Sequence, residues 1–583
     1  MDARVARTRA HTGRRREGAL PPGLLPMSAA APKSQWLGLG LWLVPVLCFS
    51  VLPVAALLWR GLGHSGTGGL DWLLAEGGAL GNTLLIATGA AVLAFVLGAP
   101  LALVLQRTDL PLRGAFTVLF TLPSAVPAFI WGMGWLSLAS PRAGYLNRLL
   151  GDDTFDIYGP AGIAFVEGVS GLPLVLLAGA AALRRVDPAV EEAARVCGAS
   201  TLRALLTTTL PLALPSLLSG AVMVFLMAAS SFGVPYLLGV SASPPTRVLT
   251  TRIYELVLMG GDEGLARAAQ LATSLLLLAP MAMLVTWALG RAGRVRLSAG
   301  KGLSSRPFPL GRARGLVLGA VSMTAAVLVL LPLGAILLTS LQRSFGAALT
   351  WETLTLTHWA GVLLEPRTLH ATGRSVLLAA GAGVLVCGLG LAAAVLRRGL
   401  RRLGTGVEAL AVWPYAVPGT VLALALLLAF SRDLRFILLD RVAFVLALAH
   451  TPWLLLIAYV AKYLALGARN SDEALAQLDA SLTEAARVSG AGPWRAFVDA
   501  PLPLLRPALT AAFVLAFLAC ATEITMSVLL VPAGTEVLGT LLFELQSYAD
   551  PAAAAVLACA FIALVVVGQA LLALLTRRPL DTR

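Results

Sequence analysis

Long apolar runs recur along the whole chain, separated by short polar segments. A helix needs about 20 mostly apolar residues to cross the hydrocarbon of a bilayer, and the runs here are of that length. They are continuous rather than alternating, which fits helices and not barrel strands. The pattern predicts twelve spans, over 36–59, 79–105, 115–138, 161–183, 213–238, 265–290, 316–340, 372–396, 407–430, 442–466, 508–531 and 551–576. The predicted fold class is an all-α polytopic membrane protein. Between spans six and seven, "RAGRVRLSAGKGLSSRPFPLGRARG" is basic and rich in Gly, Ser and Pro, which marks a linker between two halves.

The halves repeat. "VDPAVEEAARVCGAS" from Val186 and "LDASLTEAARVSGAG" from Leu478 are identical at eight of fifteen positions, 292 residues apart. The same offset pairs Arg203 with Arg495, Leu210-Pro211 with Leu502-Pro503, and Pro215 with Pro507. Upstream, "LPSAVPAF" (122–129) answers "WPYAVPGT" (413–420) at an offset of 291. Both polar copies are flanked by Arg, so both belong on one side of the membrane, and six spans between them satisfy that. The two six-helix repeats are parallel rather than inverted.

Each polar copy reads as a small helix–turn–helix on the membrane surface. Asp187 before Pro188 is a helix start, because the carboxylate caps free N–H groups and Pro suits the first helical position. In the second copy Asp479 caps likewise, and Ser481 with Glu484 has capping-box spacing. Ala193-Ala194 and Ala485-Ala486 leave a face open to close approach, and Gly198 and Gly490 supply a turn. A second short helix follows, with Leu202, Leu205 and Leu206 on one stripe, and Leu-Pro is expected to end it. A single such loop is an ordinary connection; a repeated surface motif implies a repeated partner.

Composition sharpens the class. Of 583 residues 58% are hydrophobic and only 13% charged, against about 25% charged in soluble domains. The net charge of +14 sits mostly in the tails and in the loops on one side. That is the positive-inside bias, which places both termini in the cytoplasm and accounts for the charge without nucleic acid. The cysteines Cys48, Cys197, Cys387, Cys520 and Cys559 have no paired spacing, so neither a disulfide framework nor a zinc site is indicated. No cluster of His, Cys, Asp or Glu has metal-ligand spacing.

The pattern Glu192-Ala193-Ala194, Gly198, Leu210-Pro211, and again Glu484-Ala485-Ala486, Gly490, Leu502-Pro503, resembles the EAA loop of binding-protein-dependent ABC importers. Thr208 and Ala500 stand where that family usually has an aliphatic residue. The resemblance runs from about residue 36 to the end. It implies two permease domains, 36–290 with an EAA loop at 184–212 and 316–576 with one at 467–507, flanked by cytoplasmic tails 1–35 and 577–583 and joined by a cytoplasmic linker, 291–315. It also implies that the twelve EAA residues named above couple to two copies of an ABC ATPase subunit, which would use ATP and Mg2+ while this chain binds no cofactor. A periplasmic substrate-binding protein and the bacterial inner (cytoplasmic) membrane complete the setting. The fused arrangement, with "PSAVPAFIWGMGW", "IYGPAGIAFVEG", "RVLTTRIYEL" and "VPAGTEVLGTLLFEL", is most similar to ferric-iron importers; thiamine importers share the fusion and polyamine importers the motif.

The chain has no ATPase motif of its own. Its one Gly-Lys, Gly300-Lys301, is followed by Gly302, and Val295 stands where a Walker A sequence needs its first Gly. No catalytic residue is expected. The translocation path is expected to pass Ser230, Ser231, Thr522, Glu523 and Thr525, where "AASSFGVPYLLG" aligns with "CATEITMSVLLV". An acid within an apolar run is costly and often functional, but Glu523 and Glu167 fit a paired structural carboxylate equally well. Ser and Thr at membrane depth more often knit helices together. A secondary transporter driven by an ion gradient is the rival class. It would need coupling acids in both halves, and by alignment Glu523 faces Ser231, so the acid is not duplicated. A membrane-embedded enzyme lacks a nucleophile or acid–base cluster, and a channel leaves the paired loops unexplained.

Overall fold

The computed structural model describes residues 33–63, 76–151, 154–296, 307–347, 349–400, 403–431, 434–438, 441–449, 451–479, 481–548 and 550–576. The expected basic tail up to residue 32, the linker over 297–306 and the tail 577–583 lie outside the described residues.

Ten principal helices make up the first half: α1 (Trp36–Gly63), α2 (Gly77–Arg107), α3 (Arg113–Thr121), α4 (Ala128–Ala139), α5 (Pro160–Leu183), α6 (Pro188–Val196), α7 (Leu210–Ala229), α8 (Gly233–Gly239), α9 (Leu249–Met259) and α10 (Gly261–Arg296). The second half repeats them in order: α11 (Gly311–Leu341), α12 (Pro366–Gly399), α13 (Gly404–Ala416), α14 (Gly419–Ala429), α15 (Pro452–Ala476), α16 (Ser481–Val488), α17 (Pro501–Ala521), α18 (Thr525–Leu530), α19 (Leu538–Ser547) and α20 (Pro551–Thr576). Among the described residues nine helices are long and apolar enough to cross a membrane, and eleven spans result when two bent pairs count as one each. Those pairs, α3–α4 and α13–α14, bend by 99° and 105° at Pro127 and Pro418, far beyond an ordinary proline kink.

The tenth expected span, 442–466, is corrected. Backbone pairing forms an antiparallel hairpin, β1 (Leu434–Leu438) with β2 (Arg441–Leu446), and α15 starts only at Pro452. The segment is rich in Phe, Ile and Val, which suit strands, and Pro452 fits a first helical position. α15 is 25 residues long and occupies the place of α5, but Lys462, Arg469, Asp472 and Glu473 lower its hydropathy below that of the other spans.

Within each half three long helices pack together: α2, α5 and α7 in the first, α12, α15 and α17 in the second. The first helix of each half crosses over. α1 packs on α10 and on α14 of the second half, whereas α11 packs on α20 and on α4 of the first. A small residue permits the crossing of α11: a Cβ at Gly134 of α4 would meet the Pro332 carbonyl oxygen at 2.8 Å, and within the first half one at Gly61 would meet the Ala269 carbonyl oxygen of α10 at 2.9 Å. Without water to squeeze out, membrane helices associate by such close packing. The three buried clusters therefore each contain residues of both halves.

At one crossing the halves differ. Gly98 of α2 packs against Val175 of α5, but the equivalent pair in the second half is Gly390 and Gly467, and the α12 and α15 backbones are in direct contact there. A Cβ at Gly467 would fall inside the shell of the Val386 carbonyl oxygen. We therefore expect Gly467→Val, which installs the first half's residue, to destabilise by about 1–3 kcal/mol or more. Val175→Gly should cost less. Thermal midpoints of the solubilised variants check this, and equal midpoints would contradict the close approach.

Candidate functional site

The repeated surface helices are built alike. Asp187 accepts the Ala189 N–H at 2.9 Å and Pro188 opens α6; Asp479 accepts the Ser481 N–H at 3.0 Å ahead of α16. The amide and hydroxyl of Ser481 hold the Asp479 carboxyl below its ordinary range. Ser481 is thus the first helical residue rather than the cap, and the expected capping box with Glu484 gives way to an Asp479 cap. Both helices end in the same left-handed turn. Gly198 has φ +88° and Gly490 φ +90°. Their N–H groups donate to Arg195 O at 2.9 Å and Arg487 O at 3.0 Å, and the next residues donate to Ala194 O at 3.0 Å and Ala486 O at 3.1 Å. This six-to-one plus five-to-two pairing satisfies the helix's last carbonyls, and the positive φ at its centre favours Gly.

The side chains expected to act point the same way in both copies. Glu192 and Ala193 are exposed and Ala194 half-buried, as are Glu484 and Ala485 with Ala486. Val196 is 88% exposed and its counterpart Val488 is 90% exposed; Leu202 and Trp494, again 292 residues apart, are 64% and 76% exposed. Two matching surfaces each combine an acid, an alanine step and bare apolar side chains. Leu210, Pro211, Leu502 and Pro503 are half-buried at the roots of α7 and α17. In the first half the Leu-Pro does not end the second short helix: the chain stays helical from Leu202 to Ala229 through a π turn at Leu205–Thr209. The missing N–H of Pro211 is absorbed where the hydrogen-bond register already shifts. In the second half the helix Pro493–Asp499 does stop, at Ala500, one residue before α17.

The polar residues expected along the path lie where spans five and eleven break, at 230–232 and 522–524. The Glu523 carboxylate caps α18, accepting N–H groups of Met526 at 2.9 Å and Ser527 at 3.1 Å and the Ser527 hydroxyl at 3.2 Å. Tyr459 of α15 shares the Ser527 hydroxyl at 2.9 Å. In the first half Thr250 donates to Ser231 O at 2.6 Å. Thr522 bonds back to Leu518 O at 2.8 Å, a local knot rather than a lining group; Ser230 and Thr525 are half-buried.

The alignment of Glu523 with Ser231 hides an exchange. Tyr459 lies 292 residues after Glu167, and Glu523 lies 292 after Ser231. In the first half the acid is on α5 and the hydroxyl at the break; in the second the hydroxyl is on α15 and the acid at the break. Each half therefore holds one carboxylate at the same crossing, which corrects the expectation of an unduplicated acid. The two are not equally held. Glu167 is fully buried, with the Ser231 side chain beside its carboxylate but no hydrogen bond of normal geometry to either oxygen among the described residues.

Between the breaks runs an aromatic seam that the sequence reading did not assemble. "TRVLTTRIYEL" from Thr246 and "TEVLGTLLFEL" from Thr535 form α9 and α19 in the same way. Val248 and Val537 N–H groups each donate to the Thr three residues on, at 3.0 Å. Leu249 and Leu538 N–H groups donate to Thr83 of α2 at 2.9 Å and Ser375 of α12 at 2.7 Å. This places the equivalent residues Tyr254 and Phe543 against each other across the halves, with ring centres 6.4 Å apart at 79°. Phe129, Phe232 and Tyr236 of the first half surround Phe543 at 6.0, 5.8 and 4.7 Å. The two copies are 289 rather than 292 residues apart, so the main register of the repeat passes over them. Among the described residues no group of three or more His, Cys, Asp or Glu could hold a metal ion.

Known proteins are similar to this chain over much of its length. A putative ferric transport system permease protein from Haemophilus influenzae is 27% identical over 471 residues, covering 78% of this chain and 70% of that protein. A ferric transport system permease protein from Actinobacillus pleuropneumoniae is 28% identical over 475 residues, covering 79% of this chain and 65% of its own length, so the match leaves about a third of that relative unspanned. The molybdenum transport system permease protein of Escherichia coli is 30% identical over 200 residues, which cover 33% of this chain and 85% of that protein. Residues 90–351 and 386–580 each match the family described as the binding-protein-dependent transport system inner membrane component, so both repeats, and with them most of the chain, carry it. The chain belongs to that family and is a multi-pass permease of the ABC importer type.

Proposed function

We propose that this chain carries a substrate across the inner membrane by alternating access, with α6 and α16 each docked on one copy of a separate ABC ATPase subunit. The observation that carries the reading is the pair of surface helices, alike in cap, turn and exposed Glu, Ala and Val, 292 residues apart. Two matching surfaces on one face suit two copies of one partner related by the pseudo-twofold axis. ATP and Mg2+ would be bound by that partner. Closure of the ATPase pair would draw α6 and α16 together, and each movement would pass into α7 and α17. A periplasmic binding protein would deliver the substrate on the opposite face.

The substrate we propose is ferric iron. Two relatives matched over most of this chain are ferric transport permeases. The site chemistry favours a cation over the oxyanion suggested by the molybdenum permease, because each half places a carboxylate beside the break in its span, Glu167 in one and Glu523 in the other. The path would run along the seam between the breaks, past Ser230, Ser231, Glu523 and Thr525, with the rings of Tyr254 and Phe543 closing it in the state described. Thiamine and polyamines, the other substrates of similar permeases, are also cationic, so charge alone does not select among them.

Three outcomes follow. Glu192→Ala combined with Glu484→Ala should abolish transport while leaving the protein folded in the membrane; normal transport by the pair would remove the coupling role. In cells deleted for this chain, the wild type should restore ferric-iron uptake and leave thiamine uptake unchanged. The reverse result keeps the architecture and replaces the substrate. Glu523→Gln should slow iron transport about tenfold or more with unchanged ATPase binding, since the amide keeps a capping oxygen for α18 but loses the charge. An unchanged rate would confine Glu523 to capping.

A further inference from the structure

We infer that Arg107, Glu191 and Thr209 form a latch that ties one of the two surface helices, and not the other, to its half of the membrane domain. The inference rests on the coupling role proposed above and makes these three positioning residues for it. Glu191 lies beside the exposed Glu192 but faces inward, 4% exposed. Arg107, the last residue of α2, is equally buried and donates from Nη2 to Glu191 Oε1. Thr209, in the turn that leads into α7, donates its hydroxyl to the same oxygen at 2.5 Å. The end of span two, the surface helix and the root of span five thus meet on one carboxylate oxygen. A buried ion pair is hard to separate, because either partner alone would be left charged and unpaired out of water. α2 is 31 residues long, about 46 Å at 1.5 Å per residue, against a hydrocarbon core of about 30 Å. That length carries Arg107 clear of the lipid to reach the surface helix.

The same point holds the connection to the second half. Arg107 O accepts the Phe308 N–H at 2.7 Å, the Asp109 N–H donates to Phe308 O at 3.0 Å, and the Asp109 carboxylate accepts the Leu310 N–H at 2.8 Å. These residues directly precede α11, which packs on α4 and α20. A displacement of α6 therefore reaches α2, α7 and the approach to α11 through bonded contacts.

The second half has none of this. At the offset of 291 that holds upstream, Arg107 answers Arg398, but the positions 292 after Glu191 and Thr209 are Thr483 and Pro501, so the arginine has neither the carboxylate nor the hydroxyl to meet. α16 has no buried residue, and among the described residues no ion pair involves it. The arginines nearby, Arg397 and Arg398, pair instead with Asp472 at the end of α15, and Arg397 also with Glu408 at 2.8 Å. Equal caps and turns thus sit on unequal anchors.

The test uses the full chain in lipid nanodiscs, alone and assembled with its ATPase and binding protein. Amide hydrogen exchange of the chain alone should be about tenfold or more slower over 188–196 than over 481–488, because exchange reports the local opening free energy. Glu191→Gln should erase that difference without changing exchange over 481–488 or in the spans, and Thr209→Val should narrow it with the ion pair kept. In the assembled transporter Glu191→Gln should raise the ATP hydrolysed per ferric ion delivered several-fold. Equal exchange of the two helices in the wild-type chain overturns the latch. A Glu191→Gln transporter with wild-type ATP per ion, alongside an uncoupled Glu192→Ala/Glu484→Ala pair, also overturns it and leaves the coupling reading intact. If that alanine pair itself transports normally, the coupling reading is what fails.

Discussion

Hydrocarbon offers no hydrogen bonds, so wherever a span of this chain breaks, the chain must satisfy the freed backbone groups itself. Leaving one amide or carbonyl bare at that depth costs about 2–7 kcal/mol. The breaks are accordingly the places where polar side chains collect. Lys462 of α15 donates to the carbonyls of Tyr415 and Val417 at the α13–α14 bend. Glu523 covers the first N–H groups of α18, and Thr250 covers Ser231 O. Thr83 and Ser375 receive the leading N–H groups of α9 and α19. The weighing of Glu523 between a structural and a path-lining role is resolved on one side by this geometry: it does cap a helix. Any part in translocation is additional to that cap.

Local features were legible in the sequence because their causes are local. The Asp187 and Asp479 caps, the positive-φ glycines and the proline breaks of the third and ninth spans depend on a few neighbouring residues, and each stands where its residues say. The failures have physical reasons too. Hydropathy reads a run of apolar residues without regard to backbone state, so the β-branched stretch before Pro452 passed for part of a span, although the chain turns back on itself there. Crossing of α1 and α11 onto the opposite halves leaves no periodic trace, because it rests on contacts between distant segments, such as that of Gly134 with Pro332. The α9 and α19 copies were each visible as motifs, but a loop three residues longer in the first half moved them out of the common register.

The exchange of Glu167 and Ser231 for Tyr459 and Glu523 was illegible for a different reason. Alignment compares residues at one position, whereas the quantity repeated here belongs to a contact between two. Glu–Ser in one half and Tyr–Glu in the other score as two mismatches, yet each pair brings one carboxylate and one hydroxyl-bearing side chain to the same crossing. Glu191 was passed over on similar grounds. Its partner, Arg107, is 84 residues away in the sequence and meets it only in the fold.

Fusion of two permeases into one chain explains why such differences can exist. In a symmetric pair of identical chains every residue occurs twice, so a latch at one surface helix is a latch at both, and a charge at one break is a charge at both. A tandem chain is free of that constraint. The carboxylates beside the span breaks have changed position and kept their number at one per half. The anchor of the surface helix is whole on one side; on the other, Thr483 and Pro501 stand in place of its carboxylate and hydroxyl, and the matching arginine, Arg398, pairs with Asp472. The partner-facing surfaces, with Val196 and Val488 almost equally bare, stay matched because two copies of one ATPase would have to fit them. Symmetry is thus retained on the exposed side of the surface helices, where the proposed pair of ATPase copies would have to fit, and relaxed on the side that packs against the chain itself.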